Sequence, residues 1–318
     1  IVQTFSRQAL PMVWDFSEVN PFSDSSGNWD GAVGWIVRCL EKSIPGHGKG
    51  NAYQKDAMSP ITEITGIPIS TDPPYYDNIE YADLSDDLYV WMRRTLKDIY
   101  PNLFDTILVP KSTEIVASPF RHDGPNEAAE FFEKGLNKAF SNIRNVISLN
   151  YPFTVFYAFK QEEIIEKGRV SSTGWETMLR GLIDSNFQIV GTWPLRTERD
   201  QGLKTGSNVL ASSIVLVCHP RKISGNFVTR RDFIIELGKK LPSSLREMQT
   251  GNIAPVDFAQ ATIGPGMSVY SSFEKVWESD GSELTVRSAL QLINQVLDEY
   301  LAEQEGDMDQ ASRFAVAW

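Results

Sequence analysis

Cysteine is almost missing from this chain, with two residues, Cys39 and Cys218, in 318. No disulfide framework can be built from them, and no Cys/His spacing for zinc occurs. Both thiols are expected to be buried packing residues. Histidine is equally scarce, and His47, His122 and His219 stand far apart in sequence, so no metal site is expected. No uninterrupted apolar run approaches the roughly 20 residues that cross a bilayer. The opening residues, IVQTFSRQAL, lack the basic region and apolar stretch of a signal peptide. A soluble, cytoplasmic chain without a membrane partner is the expectation. Net positive charge is also lacking: the formal charge is −11, which excludes a protein that coats nucleic acid along its whole surface.

At 42% hydrophobic and 22% charged residues, the chain has the composition of an ordinary globular protein with a large core. One basic stretch stands against the acidic background. From Trp193 to Arg231 there are seven basic residues (Arg196, Arg199, Lys204, Arg221, Lys222, Arg230, Arg231) against two acidic ones, Glu198 and Asp200. The chain has no initiator Met, and it ends on an apolar segment, ASRFAVAW, with no stop signal after it. Both ends lead us to expect a piece of a longer protein.

The periodicity alternates between helix and strand. Asn28 or Asp30 is placed to cap a helix carrying Trp35, Ile36, Cys39 and Leu40 on one face. The Gly-rich tract that follows, PGHGKG, lacks phosphate-loop spacing and is expected to be a solvated loop. A β-branched run from Ile64 to Thr71 ends at paired prolines, which cannot continue a ladder. A helix over 83–100 should face Leu84, Leu88, Trp91, Met92, Leu96 and Ile99 inward. Further expected elements are a helix over 126–147, a strand over 153–159, a helix over 175–185 capped by Ser172 and Thr173, and strands over 187–193 and 209–217. This order predicts an α/β fold with a parallel sheet, helices on its faces and an antiparallel hairpin at one edge. Residues 1–226 are expected to form this core. Residues 227–318 are expected to be mainly helical (232–248 and 284–304), interrupted by a loop at IGPGMSVYSSF.

The feature that bears chemistry is Asp72-Pro73-Pro74-Tyr75 at the C-terminal end of a buried strand. In an open α/β sheet, ligands sit at that end. The motif suits methyl transfer to an exocyclic amino or amide nitrogen, a poor nucleophile because its lone pair is delocalised. Such a nitrogen improves when acceptors take both of its hydrogens. Asp72 would supply a carboxylate and Pro73 its backbone carbonyl, with the prolines holding both in place. Tyr75 would stack on the planar acceptor. A structural Asp-Pro-Pro turn is the plain alternative.

The run TDPPYYDNIEYADLSDDLYVWMRR, residues 71–94, resembles motif IV and the following helix of amino-group DNA methyltransferases. More narrowly it resembles the large adenine-specific DNA methylases that carry an N-terminal domain called DUF1156, some of them found in anti-phage loci. Residues 12–29, 174–198 and 260–273 agree with the same likeness. It implies a partial Rossmann-like methyltransferase sheet with helices on both faces and S-adenosylmethionine as cofactor. It also implies transfer to the exocyclic nitrogen of adenine, with DNA and defence-system proteins as partners. Asp72, Pro73, Pro74 and Tyr75 become the catalytic motif. Asp56 and Thr71 become candidate cofactor contacts, although a surface loop serves equally well for Asp56.

One departure stands out. The family grips the methionine end of the cofactor with a Gly-rich loop after its first strand, and nothing in this sequence matches it. Gly264-Pro265-Gly266 has the wrong spacing and follows the last strands of the sheet. The family places that loop ahead of residue 1, so weak or absent cofactor binding is expected. A sheet edge exposed in this way would favour self-association.

Arg196, Arg199 and Lys204 fall in the loop between the last two strands, where a basic loop would grip phosphates. Local ion pairs with Glu198 and Asp200 are the alternative. Trp35, Trp91, Trp175, Trp193 and Trp277 are expected to be core packing residues. Asp83, Asp86 and Asp87 are expected to offset a helix dipole. Other readings stay open: an amino or amide methyltransferase for cytosine, RNA or protein glutamine, and a non-catalytic nucleic-acid-binding or assembly subunit.

Overall fold

A computed structural model describes residues 20–306, apart from 44–45, 47, 49, 63–64, 77–78, 161–172, 196–209, 222–224 and 251–254. The chain divides into two compact units, Ile1–Lys55 with Tyr81–Pro110, and Asp56–Glu80 with Lys111–Trp318.

The first unit contains helix α1, Trp29–Lys42, helix α2, Tyr81–Leu96, and a 3-10 turn, Pro101–Leu103. Asn28 caps α1 as expected, its side chain accepting from the Gly31 amide. The segment after α2 folds back onto that helix through three side chains. Tyr89 Oη donates to the Thr106 carbonyl (2.9 Å), Arg93 Nε donates to the Phe104 carbonyl (3.1 Å), and Asp86 Oδ1 accepts from the Val109 amide (2.9 Å). Asp86 therefore anchors a loop, whereas Asp83 lies in the first turn of α2, where it favours the dipole.

The apolar faces expected of these helices are largely exposed among the described residues. Helix α1 buries none of its residues, and Cys39, expected inside, is exposed. Leu88, Trp91, Met92 and Ile99 are likewise exposed and do not face inward. Periodicity tells which side chains share a face, but a second element must cover that face before it becomes core.

The second unit holds the sheet. Strand β1, Ile69–Thr71, leads through α3, Pro125–Val146, to β2, Phe153–Lys160. Then come α4, Thr173–Asp184, β3, Phe187–Leu195, and β4, Leu210–Pro220. The order across the sheet is β1-β2-β4-β3. β1 and β2 are parallel, while β4 is antiparallel to both β2 and β3. The sheet is thus mixed: β1 and β2 are parallel as expected, and the expected antiparallel pair, β3 and β4, stands at one edge. β4 follows β3 through a hairpin connection, yet its apolar run is paired on both sides and lies inside the sheet. β1 is shorter than the β-branched run that contains it. Gly66 turns the chain at φ +70, and Ile67 makes only an isolated bridge to Ile147.

One face of the sheet is the core. Phe153, Val155 and Tyr157 of β2 are paired with Cys218, Leu216 and Ile214 of β4, and all six are buried. Phe140 of α3 meets Phe153, Trp175 of α4 meets Tyr157, and Gly264 lies against Thr192 of β3. Those three helices therefore pack on this face. The opposite face presents Ser70, Val190 and Trp193 as exposed residues. Helices were expected on both faces; among the described residues, these three cover one.

The remaining elements are β5, Phe227–Thr229, α5, Arg230–Thr250, α6, Pro255–Ser272, β6, Lys275–Trp277, and α7, Val286–Gly306. β5 and β6 form a separate two-stranded parallel sheet. Leu237, Leu241, Met267, Leu290 and Ile293 belong to one hydrophobic cluster with the buried residues of the four-stranded sheet.

The loop expected at IGPGMSVYSSF is instead the second half of α6, with Pro265 inside the helix. Its glycines serve packing. A Cβ at Gly266 would come within 2.5 Å of Ile293 Cγ2 in α7. A Cβ at Gly264 would lie 2.6 Å from Thr192 Cγ2 and would strike its Oγ1.

Arg221 joins β4 to this region. It is buried, and it donates to the carbonyls of Phe273 (3.1 Å) and Ile183 (3.0 Å). Burial lowers its pKa, opposed by Tyr270, Glu274, Asp184 and Glu283 nearby.

Of the five tryptophans expected in the core, Trp175 is 2% exposed, whereas Trp193 is 68% exposed and Trp35, Trp91 and Trp277 are also on the surface. Cys218 is fully buried, and burial pushes its thiol pKa up. A thiolate reagent such as Ellman's reagent should therefore label one thiol in the native protein, at Cys39. Cys218 should label only in denaturant. Fast reaction of both thiols without denaturant would contradict this packing.

Candidate functional site

The expected motif begins where β1 ends. Because β1 and β2 are parallel, their C-terminal ends lie at the same edge of the sheet, and Asp72 follows Thr71 there directly. The two prolines fix φ and carry no N–H, so the ladder stops and the chain leaves the sheet in a set direction. Pro73 is buried and Asp72 is exposed, with Tyr75 half-buried against the core. The Asp72 carboxylate is thus displayed on a rigid, partly buried base.

Asp72 and Tyr75 are brought together. Tyr75 Oη donates to Asp72 Oδ1 at 3.1 Å. This bond occupies one lone pair of the carboxylate and leaves the others for a ligand. The Tyr75 ring is perpendicular to that of Tyr157 (centroids 5.6 Å apart, 89°). Tyr157 in turn stacks on Trp175 (5.7 Å, 25°). Three aromatic rings therefore run from the buried start of α4 to the exposed carboxylate.

The next residue, Tyr76, takes a left-handed backbone (φ 25), uncommon outside glycine. Its carbonyl accepts from the Ala117 amide (2.9 Å), and its ring packs edge-on against Phe132 (5.1 Å, 82°). The chain turns sharply there and is held on both sides. Nearby, the Ser118 hydroxyl donates to the Glu80 carboxylate, closing the far end of the loop.

Thr71 pairs with Val155 as the last residue of β1, immediately before the motif. Asp56 stands in a turn of its own: its carboxylate accepts from the Met58 amide (2.9 Å) and the Ser59 hydroxyl (3.5 Å). Asn142 of α3 anchors this turn by donating to the carbonyls of Ala57 and Ser59, both at 3.0 Å. The carboxylate of Asp56 thus shapes a local turn. Arg196, Arg199 and Lys204 lie outside the described residues, as does part of the Gly-rich tract after α1.

Tyr157, Gly174 and Tyr76 were not singled out from the sequence. Tyr157 alternates with its neighbours like any core strand residue, and its contact with Tyr75 is a matter of tertiary packing. Among the described residues, no cluster of His, Cys, Asp and Glu is placed to hold a metal ion. No described helix is long and apolar enough to cross a membrane. Comparison of the chain with protein-family models, curated proteins and solved structures finds no match.

Proposed function

We propose that the chain is the acceptor-holding part of a methyltransferase acting on the exocyclic amino nitrogen of adenine in DNA, with S-adenosylmethionine as the methyl donor. The observation that carries this reading is Asp72-Pro73-Pro74-Tyr75 at the C-terminal end of β1, with carboxylate and aromatic ring hydrogen-bonded to each other. The sheet supports it. β1, β2 and β3 run in one direction, and the last strand is inserted antiparallel between β2 and β3. That order suits the second half of a Rossmann-like methyltransferase sheet, in which ligands meet the C-terminal strand ends.

The residues on this chain would act on the acceptor. Asp72 accepts one amino hydrogen and the Pro73 carbonyl the other, which localises the nitrogen lone pair for attack. The acceptors are preorganised, so little reorganisation is needed as charge develops. Tyr75 offers a flat face to a base taken out of its stack, a contact that contributes about 1–3 kcal/mol per base.

The described residues do not themselves fit the cofactor. The sequence has no Gly-rich loop of the family type, Gly264 and Gly266 are spent on helix packing, and Asp56 is engaged in its own turn. No step through the cofactor is therefore assigned to this chain.

The test is transfer of labelled methyl from S-adenosylmethionine to DNA by a protein that joins this chain to the Gly-rich cofactor loop of the family, followed by nucleoside analysis. Label in N6-methyladenine is the expected result. Label only in cytosine, RNA or protein glutamine would replace the acceptor, and no transfer to any of them would remove the enzyme reading. A non-catalytic nucleic-acid-binding or assembly subunit, for which the missing cofactor loop and the acidic charge speak, would then take its place.

A further inference from the structure

We infer that Tyr157 is a positioning residue for this site: it sets the ring of Tyr75, and through the Tyr75 hydroxyl it orients the carboxylate of Asp72. This rests on the acceptor roles proposed for Asp72 and Tyr75.

Tyr157 is itself held from several directions. It is 2% exposed, its backbone pairs with Ile214 inside the sheet, and its ring is stacked on Trp175, also 2% exposed. The first turn of α4 closes against it at Gly174. A Cβ there would lie 3.0 Å from Tyr157 Oη and 3.0 Å from Tyr76 Cβ, closer than nearly all real Cβ contacts. Gly174 is thus the residue that lets the helix approach both tyrosines. Trp175 and Gly174, adjacent in sequence, fix the ring that Tyr75 leans on.

Tyr75 itself is half-buried, with its ring perpendicular to Tyr157 and its hydroxyl on Asp72. A perpendicular aromatic pair has a preferred orientation because ring edge and ring face carry opposite partial charge. A swing of the Tyr75 ring about its Cα–Cβ bond, away from Tyr157, would carry the hydroxyl off Asp72, so ring position and hydrogen acceptor are set together. Displacement of reacting groups by about 1 Å is enough to cost about 100-fold in rate. A residue that never touches the acceptor therefore controls its alignment.

The experiment labels the protein with 3-fluorotyrosine and follows the fluorine resonance of Tyr75, assigned by its loss in Y75F. Y157F keeps the ring and should leave that resonance in place. Y157L removes the ring and should shift and broaden it, while in the chain joined to the cofactor loop kcat/KM for DNA methylation falls about 100-fold and KM for the methyl donor stays constant. G174A, which pushes on Tyr157 with its ring intact, should move the resonance in the same way and carries the test should Y157L not fold. An unmoved Tyr75 resonance in the folded variants would overturn the inference. Absence of methyl transfer by the wild-type chain joined to the cofactor loop would defeat the proposed function instead, and the fluorine signal would still decide whether Tyr157 orients Tyr75.

Discussion

Replacing Asp72 by alanine should lower methyl transfer to adenine about 100- to 1,000-fold, the loss typical of deleting one preorganised group that meets developing charge. The thermal midpoint should hardly move. Asp72 is exposed, and its described bond is to a tyrosine hydroxyl at the solvent-facing end of a half-buried ring. Surface substitutions of this kind usually stay within about 0.5 kcal/mol. Asp72→Asn separates the roles further. It keeps the shape and one carbonyl acceptor but removes the charge, so an intermediate loss is expected. DNA affinity should be nearly unchanged in both variants, because Asp72 contributes no positive charge to phosphate binding. The measurement is kcat for labelled methyl transfer by the chain joined to the cofactor loop, beside a thermal melt. Full activity in Asp72→Ala would show that Asp72-Pro73-Pro74-Tyr75 is only a strand exit.

Gly264→Ala should be among the most destabilising single-methyl additions in the protein. The added carbon would sit 2.6 Å from Thr192 Cγ2 and 2.7 Å from Thr192 Cβ. Thr192 cannot swing away, since it is β-branched and lies within β3, paired with Leu216. Overpacking of this kind costs about 3 kcal/mol or more, lowering the midpoint of a chain this size by about 4–5 °C or more. Thr192→Ala in the same background removes Oγ1 and Cγ2 and should recover part of the loss. A double-mutant cycle on the two positions then measures their coupling. A melt of Gly264→Ala that overlays the wild type would mean that α6 does not pack against β3 in this way.

Much of the second unit was legible because its elements obey local rules. The paired prolines ended β1 where they stand, and the alternation of strands and amphipathic helices gave β2, α4, β3 and β4 nearly to the residue. The direction of β4 was legible because no helical pattern separates it from β3 in the sequence, but its position in the sheet was not. Insertion beside β2 is decided by which apolar strand best fills the core, a long-range choice. The second half of α6 was not legible for a local reason. Gly264-Pro265-Gly266 carries the chemistry of a turn, and only the nearness of Thr192 and Ile293 explains why small residues belong inside that helix. The inward faces expected in the first unit failed differently: Leu88, Trp91 and Met92 keep the spacing of one helical face and are exposed. At the site, Asp72 and Tyr75 were visible from the motif, whereas Tyr157 and Gly174 join them through contacts made across long stretches of sequence.

The central place of β4 also bears on how the chain is made. Ribosomal synthesis delivers β1, β2 and β3 first, and neither β2 nor β3 has its inner neighbour until residues 210–220 have emerged. Pairings between segments this distant in sequence form slowly, because loop closure precedes any reward from contact. Until then β3 has an open backbone edge on the side β4 will fill, and the apolar side chains that β4 will cover remain accessible. A nascent chain paused before residue 210 therefore offers the surface that chaperones bind, and the last strand to be synthesised is the one that closes the sheet.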